Sequence, residues 1–320
     1  SKVARADTGD GWSIEEYTDM LLAAGADAFD RIIVPLYLTK QTTPQMIEKG
    51  VKSGLLKAAK YYPPHGTTGA DFGMPIDHYM DNGVLQAMAD NGVILCVHGE
   101  EHGLPPETYF ARDKNAEEIF YQERMPKLIE RFPGLKIVAE HVTTKVAVDF
   151  VTSAPATIAA SVTPQHLLYT VGHLIQGLKY HLYCLPVLKF DTDRDAIRTA
   201  VMNSSNAKFF AGTDSAPHTQ KVTPCGCAAG CYTGGIAPQL YAQSFESAGK
   251  NFQNTDVQGV FKAFLCTIGP KFYGFTPISD EFTLKKGIEE VKTLQNTAGT
   301  IVPLPVGLSL DPAVLTWSVE

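Results

Sequence analysis

Four residues with side chains able to bind metals or move protons stand at the ends of apolar runs. Lys60 lies in Ala58-Ala59-Lys60-Tyr61-Tyr62-Pro63, and His98 lies in Val97-His98-Gly99-Glu100. His141 lies in Ala139-Glu140-His141-Val142-Thr143-Thr144, and Asp214 in Gly212-Thr213-Asp214-Ser215-Ala216-Pro217-His218. Each has a plain reading when taken alone. A strand-end His is commonly hydrogen-bonded structure, a Lys there snorkels to water, and an Asp before Ser-Ala-Pro caps a turn. Together they read differently. Four ionisable groups at four strand ends are each penalised by burial unless something compensates them. The set Lys, His, His and Asp suits hard and borderline divalent metals such as zinc.

The elements that must carry these residues are legible from periodicity. Apolar runs rich in β-branched and aromatic residues occur at 31–38, 56–62, 93–98, 136–141, 157–163 and 208–214. Between them lie helical stretches. Ser13-Ile14-Glu15-Glu16 forms a capping box, and Thr43-Pro44 a cap with Pro at the first helical position. Further helices are expected at about 80–91, 115–131, 144–153, 191–203, 236–248 and 256–267. Continuous apolar runs alternating with helices indicate buried parallel strands. Six of them fit a doubly wound sheet or a (β/α)8 barrel short of two strands. No glycine-rich phosphate loop follows any strand, which weakens the nucleotide-binding version. In a barrel, the C-terminal strand ends build the active site.

Composition narrows the function classes. The chain has 320 residues, 44% hydrophobic and 19% charged, with net charge −7. That balance supports one large core, read here as a single domain over 1–320, and argues against a nucleic-acid surface or an anionic membrane as partner. There is no run of 18 uninterrupted apolar residues, and Ser1 to Arg5 shows no apolar leader segment. Six cysteines in a chain this long do not make a disulfide scaffold, so a reducing, cytoplasmic setting is expected. Cys225, Cys227 and Cys231 could be read as a zinc knuckle, but no fourth ligand is near, and a loop over the site is the better reading. His65 and His102 lie in Gly/Pro-rich loops and are expected in solvent. His166 is expected to support the site from behind, Cys96 and Cys184 to be small buried apolar residues, and Glu100-Glu101 to be solvated loop carboxylates.

The chain resembles the class II dihydroorotases of the amidohydrolase superfamily, over almost its whole length from Trp12 to Val319. The resemblance is carried by Ala58 to Pro63 with Thr67-Thr68, Val97 to Glu100, Glu140 to Thr144, Val162 to Leu167, His181 to Lys189, Gly212 to His218 and Cys225 to Ala228. It implies a TIM-type barrel of the metal-dependent amidohydrolase type. The implied activity is reversible cyclisation of N-carbamoyl-L-aspartate to L-dihydroorotate, in pyrimidine synthesis. By the same resemblance, Lys60 is a carboxylated lysine bridging two zinc ions, and His98 and His141 are ligands of the second, more exposed metal. Asp214 is a ligand of the first metal and the general base, which passes a proton to the leaving nitrogen. Leu185, His218 and Ala228 are implied as substrate contacts, with Thr67 and Thr68 on a loop that closes over the substrate. A homodimer is the implied assembly.

The family's first strand carries His-x-His followed by Arg, and a later Met-Pro-Asn segment supplies an Asn. Neither segment is present, and none of the nine histidines pairs with another across a single residue. The expectation is therefore a barrel whose first one or two strands are missing from this chain. Two zinc ions are expected if that strand exists in the molecule, and at most a partial site otherwise. Two readings stay open: a truncated view of a working hydrolase, and an inactive relative serving as a subunit of a larger assembly. Another cyclic-amide hydrolase of hydantoin or dihydropyrimidine type is a third, which Thr67-Thr68 and the loop cysteines disfavour.

Overall fold

The structure is a computed structural model that describes residues 12–66, 70–224, 226–308 and 314–320. Its contacts divide into two compact units, Ser1–Glu140 with Ala154–Ile158, and His141–Ser153 with Ala159–Glu320.

In the first unit, α1 (Ile14–Ala23) starts at the Ser13 capping box, with Ser13 Oγ accepting from Glu16 N and Glu16 returning the bond to Ser13 N. β1 (Leu36–Tyr37) is shorter than the expected 31–38 run. Pro35 stands immediately before it without an N–H for the ladder, so pairing begins only after that residue. α2 (Pro44–Lys52) is capped by Thr43 as expected. β2 (Ala58–Tyr61) follows. The helix expected over 80–91 is two helices, α3 (Ile76–Asp81) and α4 (Val84–Asp90), because Gly83 between them adopts φ +84°. After β3 (Ile94–Val97) come the short α5 (Pro106–Tyr109) and then α6 (Ala116–Ile119), which passes through a wide π turn at Phe120–Arg124 into α7 (Met125–Arg131). The wide turn precedes Pro126, which has no N–H for a regular helical bond. β4 (Ile137–Ala139) completes a parallel ladder in which β1, β2, β3 and β4 pair in chain order. Every residue of these four strands is buried, as expected for strands covered on both faces.

In the second unit, α8 (Lys145–Ser153) precedes β5 (Ile158–Val162), within which the unit boundary falls. Two short helices follow, α9 (Pro164–Leu168) and α10 (Val171–Ile175), then α11 (Asp191–Val201) and β6 (Phe209–Ala211). β5 and β6 are parallel, with Ala160 opposite Phe209. A small antiparallel pair, β7 (Val222–Thr223) and β8 (Gly226–Cys227), leads to α12 (Ala237–Ser247) and α13 (Thr255–Lys262). A second π turn, Ala263–Thr267, joins α13 to α14 (Ile268–Phe272), again just before a proline, Pro270. The helix therefore outruns the expected end at 267. The remaining strands were not foreseen. β9 (Leu284–Glu290) pairs antiparallel with β12 (Val314–Val319), and β10 (Leu294–Asn296) with β11 (Gly299–Ile301), with α15 (Leu304–Gly307) between β11 and β12. A buried cluster of Leu182, Cys184, Leu188, Cys231, Leu240, Leu304 and Leu315 ties this part together.

Candidate functional site

Strand register sets out the first unit's polar residues. Lys60 on β2 pairs with Cys96 on β3, and Cys96 pairs with Val138 on β4. Side chains two residues apart share a face of a sheet, so Lys60, His98 and Glu140 project from the same face. Their contacts follow from that placement. Lys60 Nζ forms an ion pair with Glu140 and lies 4.9 Å from the centre of the Tyr62 ring. His98 is buried, and its Nε2 meets Glu100 Oε2 at 2.8 Å. An ionised carboxylate only accepts hydrogen bonds, so Nε2 carries the proton. Tyr109 donates to the same Oε2 at 3.2 Å. A carboxylate that fixes the tautomer and tilt of an imidazole is the usual companion of a metal-binding histidine.

The expectation that Glu100 and Glu101 are solvated loop carboxylates is corrected here. Both are buried. Glu101 accepts from Arg124 Nε at 2.6 Å and pairs with His102 Nδ1 at 3.0 Å. The consecutive carboxylates do point apart, but each points to a protein partner. His65 is exposed and pairs with Asp71, whereas His102 is only partly exposed.

In the second unit, His141 and Asp214 flank the end of β5. The His141 N–H donates to Ser161 Oγ at 2.9 Å, and the Val142 N–H to Ser161 O at 3.3 Å. On the other side the Gly212 N–H donates to Val162 O at 3.1 Å. A Cβ on Gly212 would lie 2.6 Å from Ser161 Cβ, so only glycine permits this approach. His141 and Asp214 themselves adopt φ +42° and φ +44°. Non-glycine residues held in the left-handed region cluster at functional sites. Tyr241 donates to Val162 O at 2.7 Å, and burial, more than the neighbouring Asp214, pushes its pKa well above the ordinary phenol value. Ser215 Oγ accepts from the Thr233 and Gly234 N–H groups and so anchors the segment after Asp214.

The substrate-contact candidates Leu185, His218 and Ala228 lie on two loops of this same unit. His218 Nε2 donates to Ala229 O at 2.8 Å. The Ala228 N–H donates to Lys221 O at 2.8 Å. Leu185 precedes Pro186, whose carbonyl accepts from His166 Nε2 at 3.1 Å. His166 Nδ1 lies 2.7 Å from Thr163 Oγ1, so this ring braces a loop from behind. Cys96 and Cys184 are buried. Thr67, Thr68 and Cys225 lie outside the described residues.

Among the described residues no group of three or more His, Cys, Asp or Glu side chains stands as a metal-holding cluster. The candidate donors are two imidazoles, a carboxylate and a lysine, Lys60, which is buried. The braced His98 imidazole is the structural observation that fits metal ligation.

Comparison with known proteins decides the family. The chain is 40% identical over 310 residues to the dihydroorotase of Shewanella amazonensis, covering 95% of this chain and 84% of that protein. It is also 40% identical over 314 residues to the dihydroorotase of Pseudomonas syringae pv. syringae, covering 96% and 84%. The chain belongs to the dihydroorotase family. No family model matches it. Among solved structures, the dihydroorotase of Saccharomyces cerevisiae in complex with 5-fluoroorotic acid superposes with TM-score 0.80 at 25% identity, covering 96% of this chain and 84% of that one. A D-hydantoinase from Bacillus sp. AR9, at TM-score 0.67 and 13% identity over 99% of this chain and 74% of that one, shares the fold. The fold class is thus α/β, of the TIM-type barrel of the dihydroorotases and hydantoinases.

Sequence reasoning missed Glu140, Ser161 and Lys221 and misjudged Glu100. Glu140 and Glu100 had a signal, since each lies next to or two residues from a proposed ligand. Lys221 lies between two recognised motifs and carries no signal of its own.

Proposed function

We propose that the protein is a dihydroorotase, a cyclic amidohydrolase that opens L-dihydroorotate to N-carbamoyl-L-aspartate and closes it again in pyrimidine synthesis. The observation that carries this reading is the 40% identity to dihydroorotases across 95% of the chain. Lys60, His98, His141 and Asp214 are proposed as donors for divalent metal, zinc by the chemistry of the set, with Lys60 serving as its carbamate. Bound metal would supply Lewis acidity to the ring carbonyl.

The chain's own residues do the rest. An Asp214 carboxylate oxygen takes a proton from the attacking water and delivers it to the ring nitrogen as the amide breaks. In cyclisation the same oxygen runs the transfer backwards. Both Ala228 backbone groups already meet Lys221, the N–H through Lys221 O and the carbonyl through Lys221 Nζ. A carbonyl oxygen has two lone pairs, so its remaining capacity suits a ring N–H better than a carboxylate. His218, whose Nε2 donates to Ala229 O, is proposed to contact the substrate carboxylate. Leu185 contributes backbone, and Thr67 and Thr68 are proposed to close over the ring. A homodimer is the proposed assembly, since two-fold pairs are the commonest soluble oligomers. Among the described residues no helix is long and apolar enough to cross a membrane.

The test is turnover by purified, zinc-supplemented protein of L-dihydroorotate, dihydrouracil and hydantoin in parallel. Ring opening of dihydroorotate alone is expected. Turnover of only the uncharged rings would reassign the substrate. Lys60→Ala is expected to lose most activity and part of the bound metal, and a fully active variant would remove Lys60 from the site.

A further inference from the structure

Lys221 is a buried lysine that none of the proposed chemistry uses. Its ammonium donates to three main-chain carbonyls, Tyr183 O at 2.7 Å, Ala228 O at 2.5 Å and Gly230 O at 2.5 Å. An ammonium has three protons and no acceptor, so every donor is spent on backbone. Its own carbonyl accepts from the Ala228 N–H, and the Gly230 N–H donates to Tyr183 O at 2.9 Å. One side chain therefore joins the loop at 183–186 to the loop at 228–230. These are the loops that carry Leu185 and Ala228.

The other fastenings complete the pattern. Leu185 stands between Tyr183, held by Lys221, and Pro186, held by His166. Ala229 is held from the opposite side by His218. Gly230, at φ +142°, is packed so closely that a Cβ would meet Ala216 Cβ at 2.5 Å, which ties the same loop to the segment that leads from Asp214 to His218. Burial holds the Lys221 pKa below the ordinary lysine value, so desolvation of this charge is a real cost. Three carbonyl dipoles offset it, as a buried charge requires.

We infer that Lys221 is a positioning residue of the dihydroorotase reaction, which fixes the main-chain groups of Leu185 and Ala228 in the geometry that receives the substrate ring. The inference rests on the dihydroorotase reading for its choice of substrate, and on the three carbonyl bonds for its placement. Lys221 touches no reacting atom. Its effect is transmitted through two loops, and misplacement of such groups by about 1 Å costs on the order of 100-fold in rate.

The experiment compares the wild type with Lys221→Met, which keeps the stem and loses every donor, and Lys221→Gln, which keeps two. Steady-state kinetics on L-dihydroorotate are read beside metal content and amide hydrogen exchange. For Lys221→Met the expected result is a KM raised about 10- to 100-fold with metal content unchanged. Faster exchange is expected at 183–186 and 228–230 alone. Lys221→Gln should recover part of both changes. A Lys221→Met protein with wild-type KM, or one whose exchange rises uniformly over the chain, overturns the proposal, as does failure of both variants to fold. If the wild type does not open dihydroorotate, the functional reading fails. The exchange data then decide the loop-fixing role by themselves.

Discussion

The two units solve the same problem in opposite ways. In the first, side chains are aimed by other side chains: Glu100 holds His98, Glu140 holds Lys60, and Glu101 holds Arg124. In the second, backbone is aimed by buried side chains: Lys221 gathers three carbonyls, Tyr241 donates to Val162 O, and Ser161 Oγ accepts from the His141 N–H. The difference suits the roles proposed for His98 in the first unit and for the loops at 183–186 and 228–230 in the second. A metal donor needs a fixed tautomer and ring tilt, which a carboxylate behind it provides. A ring rich in amides, as proposed for the substrate, would be met by main-chain groups, whose directions can be set only by fixing the chain itself.

That comparison can be broken at several points. The largest effect is expected where chemistry and placement meet. Asp214→Asn keeps a residue type that tolerates positive φ but removes the base, so kcat should fall about 100- to 10,000-fold while substrate binding measured by titration persists. An unchanged kcat would exclude the role. Glu100→Leu is expected to leave the His98 ring unaimed and to cost about 10- to 100-fold in metal affinity or activity. Metal titration of the apoprotein checks it. Here the units should separate, because Lys221→Met leaves metal content intact. Loss of metal in both variants would erase the distinction drawn above.

Smaller effects concern stability. Gly212→Ala forces a methyl against Ser161 Cβ, and overpacking of this kind costs about 1–3 kcal/mol, to be read from urea melts. Tyr241→Phe leaves Val162 O short of a buried donor, at about 1 kcal/mol, by the same melts. The smallest is a pH slope. Burial holds the pKa of His173 and of His181 below 6.5. The unfolded chain therefore takes up these protons first as pH falls below 6.5. Stability present above that pH is lost toward the lowered folded values. Denaturant midpoints on either side of it should show the loss, and His181→Gln should reduce it.

Much of this was legible in the sequence because burial writes itself into residue type. The apolar runs at 56–62, 93–98 and 157–163 became β2, β3 and β5, and the Ser13 and Thr43 caps opened helices where their hydroxyls indicated. The antiparallel pairing of β9 with β12 was not legible, since β9 is mostly exposed and charged and its partner lies in a distant stretch of chain. A different reason hid Lys221. Its partners are carbonyls, which every residue owns, so nothing in the spelling distinguishes it from a surface lysine. Glu100 was misjudged because consecutive carboxylates look solvated until the fold supplies Tyr109 and His98 on one side and Arg124 on the other.

The left-handed backbone at residues 141 and 214 restricts the alphabet available to anyone redesigning this centre. Histidine, aspartate and asparagine enter that conformation far more readily than other side chains. The first two are also good divalent-metal donors. Replacing His141 or Asp214 by cysteine or glutamate, to invite a softer or harder ion, changes the donor and at the same time asks the main chain to leave its conformation. A swap between histidine, aspartate and asparagine changes the donor alone. If His141 and Asp214 hold metal as proposed, the Ramachandran map restricts the choice of donor as well as coordination chemistry does, and the least disruptive variants are the ones that stay within that three-letter set.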